Sequence, residues 1–201
     1  MGGLHDAEGL REQQSWAMGE GWSDFFALTT RNCLLEPERV VVGNWVIDDP
    51  GGIRQRPYDA SYPGGFGDIG KGPRELADGL DYTKIHNVGE IWCAALLELT
   101  RRITAALGDK ERAYRGTWQA VVDGLKLTPK NPTFLTARDA VLRALRDLRG
   151  GRLTEAGYPA VRQAAWESFA KCGMGFDAFC PTASFNGCRV GSELPPPGHE
   201  D

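Results

Sequence analysis

Helical periodicity constrains this chain more than any other feature. Between residues 81 and 171 one apolar stripe follows another, each long enough for several turns. Asp81 to Leu107 aligns Val88, Trp92, Ala95, Leu99 and Ile103 on one face, and Lys110 to Leu127 aligns Tyr114, Trp118, Val121 and Leu125. Asn131-Pro132-Thr133 then opens a helix through Phe134, Ala137, Val141, Leu145 and Leu148, which Gly150-Gly151 stops. A further helix is predicted from Tyr158 to Lys171, and an earlier one over 15–32, where Met18, Trp22, Phe25 and Thr29 recur. Each stripe needs a partner to bury it, so the predicted fold is a mainly α helical bundle with little strand.

Two segments resist that pattern. Val40-Val41-Val42 through Ile47 is β-branched and ended by Asp49-Pro50-Gly51-Gly52, and it is the one good strand candidate. Gly51 to Gly79 is rich in Gly, Pro, Tyr and Asp, and a structureless stretch of this length inside a compact domain is usually functional. The chain therefore divides into an entering loop (1–14), a helix (15–32), a strand with a long loop (33–80), the helices (81–175) and an irregular tail (176–201), within one unit.

Composition excludes several classes. A net charge of −4 leaves no basic footprint for nucleic acid, and no apolar run approaches the ~20 residues that cross a bilayer. The opening Met1-Gly2-Gly3-Leu4-His5-Asp6 has neither the charged nor the apolar region of a signal peptide. The five cysteines, Cys33, Cys93, Cys172, Cys180 and Cys188, contain no C-x-x-C pair. A disulfide in the tail is compatible with an oxidising compartment, and their pairing stays open.

Three constellations carry chemistry. In Met18-Gly19-Glu20-Gly21-Trp22-Ser23-Asp24-Phe25, Glu20 and Asp24 share a helix face, although like charges four apart and two glycines all disfavour a helix there. A cation, or a metal for one carboxylate and a histidine for the other, resolves the repulsion; a solvated acidic face is the plainer reading. In Asp81-Tyr82-Thr83-Lys84-Ile85-His86, Asp81 is placed to cap the helix or to partner the imidazole. Arg54 and Arg56 lie in the Gly/Pro-rich loop, where a guanidinium can grip a carbonyl or carboxylate, or simply face solvent.

Taken in order, these motifs resemble the fungalysin family of secreted, elastinolytic zinc metalloproteinases, and more distantly thermolysin-like peptidases. The run Met18 to Phe26 is similar to that family's third-ligand helix. The arginine loop, Asp81 and His86 with Gly89 and Trp92, the Pro132-Thr133-Phe134 and Ala137-Arg138-Asp139-Ala140 segments, and Trp166 to Gly175 follow in matching order. The resemblance implies the C-terminal helical subdomain of such a peptidase, a secreted protein and a polypeptide substrate. It makes Glu20 the third ligand of a Zn2+ ion and Asp24 the carboxylate that orients a ligating histidine. It makes His86 the donor to the oxyanion, with Asp81 orienting and charging it, and Arg54 the contact to the substrate carbonyl.

The departure from the family pattern is the H-E-x-x-H motif, which supplies two zinc ligands and the general base and occurs nowhere in these residues. His5-Asp6-Ala7-Glu8-Gly9 is only superficially similar, with Gly9 where a second histidine belongs. The expectation is that an N-terminal half carrying H-E-x-x-H is the partner, and that the chain alone is inactive. The alternative is a non-catalytic pseudopeptidase module that binds peptides.

Overall fold

The computed structural model describes residues 9–199. His5 and the motif-like run around it thus lie largely outside the described residues. Six helices follow in chain order: α1 (Gln13–Asn32), α2 (Asn44–Ile47), α3 (Ile85–Leu107), α4 (Lys110–Leu127), α5 (Phe134–Asp147) and α6 (Tyr158–Lys171). Among the described residues there is no sheet, only isolated bridges such as Phe179 with Arg189. This is the mainly α bundle that the periodicity predicts.

α3 is the hub, packing against α1, α4 and α6, while α5 lies on α4 and α6. Its run from Val88 to Thr100 is buried on every side, as a helix enclosed by others must be. Trp92, wholly buried, meets Trp22 of α1 edge-on and also touches Phe134 and Phe169, tying four elements together. The helix ends follow local chemistry. Gly108 stops α3 at φ 62°, and Asp109 and Thr133 cap α4 and α5 by accepting from the amides of Arg112 and Thr136.

The strand expected at Val40–Ile47 does not form. Gly43 takes a left-handed φ of 70°, which breaks the extended run, and Asn44–Ile47 closes into a single helical turn before Asp48 at φ 52°. Val40 and Val42 still accept hydrogen bonds from Tyr58 N and Ile53 N, which folds this segment back on the long loop. α3 also begins later than its stripe: Lys84 is the N-cap residue and Asp81 lies outside the helix.

The long loop is irregular but anchored. It contains one 3₁₀ turn, Phe66–Asp68, and buries Tyr58, Phe66 and Ile69 in the core. The tail is tied to the helices and also closed on itself. Buried Arg138 donates to the carbonyls of Met174 and Gly175, and Cys180 pairs with Cys188, leaving Cys33, Cys93 and Cys172 as thiols. Gln14, fully buried at the start of α1, donates to the Ser184 carbonyl and accepts from Phe134 N, so α1, α5 and the tail meet at one amide. No helix among the described residues is long and apolar enough to cross a membrane.

Candidate active site

The site is built where α1 crosses α3, and two glycines make the crossing possible. A Cβ at Gly21 would stand 2.4 Å from the Gly89 carbonyl oxygen, and one at Gly89 would stand 2.5 Å from that of Ala17. Backbone meets backbone, so no side chain fits at either position. Gly21, which read in sequence only as a weak helix former beside Glu20, allows the close approach together with Gly89. Glu20 consequently faces the first turn of α3, with its Oε2 3.5 Å from His86 Nε2. Both side chains are open to solvent, the carboxylate 32% exposed and the imidazole 64%.

Asp24, one turn further along α1, lies in a different environment. Its side chain is 7% exposed and it forms a bidentate pair with Arg54, Nε to Oδ2 at 2.7 Å and Nη2 to Oδ1 at 2.9 Å. The Tyr58 hydroxyl donates to the same Oδ2 at 2.6 Å. Burial works to lower the Arg54 pKa, but its bond to Asp24 and the nearby Tyr58 and Glu90 more than offset this, and the net shift is upward. Burial, followed by Cys93 and Asp24, drives the Tyr58 phenol well above its ordinary range. Of the two carboxylates on this face of α1, Asp24 is paired with Arg54 and Glu20 faces His86.

Asp81 is placed on its own turn. Its carboxylate accepts from Thr83 N at 3.0 Å and Thr83 Oγ1 at 2.5 Å, and it pairs with Lys84 at 3.0 Å. The Thr83 bonds, with Lys84 beside them, lower its pKa to about 2. The carboxylate nearest the His86 ring is Glu20, 3.5 Å away across the helix crossing, rather than Asp81 as the spacing suggested. The short polar turn explains the difference: an Asp two residues before a threonine satisfies that residue's amide first. Arg56, the second loop arginine, is exposed and donates to the Gln55 carbonyl.

Glu90, Gln55 and Tyr62 complete the surroundings, and sequence reasoning passed over all three. Glu90 is 1% exposed on α3 and accepts from Gln55 N and Tyr62 Oη. Burial pushes its pKa up to about 7, against the opposing effect of those bonds and of Arg54. A charged residue in the apolar first half of α3, four after His86, is the sequence signal that marks it.

A zinc ion needs a set of converging donors. The Glu20 carboxylate is open to solvent beside the His86 imidazole. Asp24 accepts from Arg54 at both oxygens and from Tyr58 at Oδ2. Among the described residues no group of three or more His, Cys, Asp or Glu is arranged to hold a metal.

Comparison with known proteins bears on the same residues. The sequence profile described as Fungalysin metallopeptidase (M36) matches residues 1–178. An extracellular metalloproteinase of Aspergillus niger is 31% identical over 98% of this chain, and one of Aspergillus terreus is 32% identical over 98%. Extracellular metalloproteinase 3 of Arthroderma otae is 30% identical over the same share. The chain spans only 31%, 30% and 30% of the lengths of these three relatives respectively.

Proposed function

The chain belongs to the fungalysin metallopeptidase (M36) family, and from that premise we propose that it supplies the C-terminal part of a secreted zinc endopeptidase, inactive until joined to a part carrying H-E-x-x-H. The observation that carries this reading is the crossing of α1 and α3, which sets an accessible Glu20 carboxylate beside His86 over a buried Asp24–Arg54 pair.

Each residue has a role its surroundings support. Glu20 would donate one carboxylate to the zinc, whose chemistry is to polarise the scissile carbonyl and activate a water. Asp24 is held by Arg54 and Tyr58, and its Oδ1, which accepts from Arg54 Nη2, retains capacity to accept from an incoming imidazole N–H. His86, exposed and pinned at the start of α3, is positioned to donate to a developing oxyanion. Asp81 holds the turn that presents it, and so orients the histidine through the backbone. Among the described residues two of the three Arg54 nitrogens are engaged by Asp24, which leaves Nη1 for a substrate carbonyl. The relatives of greater length, named extracellular metalloproteinases, support secretion and a polypeptide substrate.

The test is casein hydrolysis with 1,10-phenanthroline as control. The chain alone is expected to show none, and to gain chelator-sensitive activity when combined with a separately produced part containing H-E-x-x-H and zinc. Glu20→Ala should then reduce the rate by orders of magnitude, and His86→Ala by less. Chelator-sensitive cleavage by the chain alone, surviving repurification, would overturn the proposal. Peptide binding without cleavage by the combined parts would favour the pseudopeptidase reading.

A further inference from the structure

Glu90 takes no part in the roles above, yet it is one of the most buried charged residues in the chain. A carboxylate enclosed in a helical hub is costly unless its bonds require it. Its oxygens face the long loop. Gln55 N–H is shared between them at 3.1 and 3.2 Å, and Tyr62 Oη donates to Oε2 at 3.0 Å while also lying 3.1 Å from Tyr82 Oη. The neighbouring charges are Arg54 on the loop and Asp24 on α1.

Gln55 passes the connection onward. Its side-chain oxygen accepts from Asp81 N at 2.7 Å, and the Asp81 carbonyl accepts from Asn87 Nδ2 at 2.7 Å. The hydrogen bonds therefore run from Glu90 through Gln55 and Asp81 to Asn87, leaving α3 and returning to it. The segment enclosed by this ring carries His86, and Gln55 is the chain neighbour of Arg54. One buried carboxylate thus sits at the junction of the two elements whose placement the site depends on.

We propose that Glu90 is a positioning residue that holds the Arg54–Gln55 loop and the Asp81–His86 segment in a single register against α3. The proposal deepens the peptidase reading and rests on it for its purpose, but not for its test, which reads geometry in the chain itself. Burial raises the Glu90 pKa to about 7, so its charged form is disfavoured where it sits. A simple acceptor for one amide would not need it.

The test is amide hydrogen exchange at Gln55 and Asp81, with the His86 ring resonances, in the full chain and in Glu90→Gln. The neutral amide keeps the shape but puts an NH2 donor at one of the two oxygens that Gln55 N–H now shares, opposing that donor. Exchange at both amides should rise roughly 10-fold, the equivalent of losing about one hydrogen bond, and the His86 resonances should shift. Amides of α4, α5 and α6 should keep their rates. Gln55→Ala, which removes only the link to Asp81, should free Asp81 and move His86 in the same way, and it decides the matter if Glu90→Gln fails to fold. Unchanged Asp81 and His86 signals in either folded variant would overturn the proposal. So would acceleration spread evenly over α3 to α6, which would make Glu90 a general core residue. Failure of the casein experiment would leave these readouts untouched, so the two proposals fall separately.

Discussion

Gly21→Ala and Gly116→Ala are the same chemical change on two helices, and the structure assigns them opposite signs. At Gly116 the added methyl meets nothing within 4 Å, so the gain is the helix propensity of alanine over glycine, about 1 kcal/mol. At Gly21 it would lie 2.4 Å from the Gly89 carbonyl oxygen and 3.0 Å from the Trp92 Cβ. Ordinary contact requires about 1 Å more, and both neighbours are fixed in α3, so the helices must move apart. Overpacking of this kind costs about 1–3 kcal/mol or more, and the opposing surface is backbone, so the upper part of that range applies. After the propensity gain, a net loss of roughly 2 kcal/mol remains. In a domain of this size that lowers the Tm by about 4–8 °C, whereas Gly116→Ala should raise it by about 2–4 °C. Urea denaturation and thermal melts of both variants make the measurement. A Gly21→Ala protein as stable as Gly116→Ala would refute the claim that the two glycines set the crossing, and with it the reason Glu20 meets His86.

Asp24→Ala leaves the Arg54 guanidinium buried without its carboxylate, and should cost about 3–5 kcal/mol in urea denaturation; a loss under about 1 kcal/mol would show the pair to be solvated. Gln14→Ala strips a buried acceptor from Phe134 N and a donor from the Ser184 carbonyl, for an expected loss of about 2–3 kcal/mol by the same assay, and a neutral result would count against that junction. Glu90 predicts a pH effect of definite sign. Its pKa in the folded chain is about 7 against an ordinary 4.5, so the folded state holds a proton that the unfolded chain releases in that window. Its contribution to stability is full below pH 4.5, falls by roughly 3 kcal/mol as the pH rises to 7, and stays constant above. Glu90→Gln lacks this slope, so its stability relative to the unsubstituted chain should rise between about pH 5 and 8; parallel curves would place the titration elsewhere.

The helices were legible because their signal is local and repeated. α4 and α6 occupy the spans their stripes predict, and α1 and α5 depart only at their ends. The strand at Val40–Ile47 was misread because β-branching reports local preference, whereas one glycine at φ 70° and the absence, among the described residues, of a pairing strand settle the outcome. The site residues divide along the same line. Glu20, Asp24, Arg54, Asp81 and His86 could be named from motif order, but their pairings could not. Arg54 reaches Asp24 across 30 positions, and His86 reaches Glu20 only because two backbones touch at Gly21 and Gly89. Glycine is the residue least able to announce such a role, since its function is the side chain it lacks. Glu90 and Gln55 were missed for a related reason, as their bonds join a helix to an irregular loop and follow no period. The polar contacts that position the candidate site are thus long-range consequences of how the apolar stripes pack.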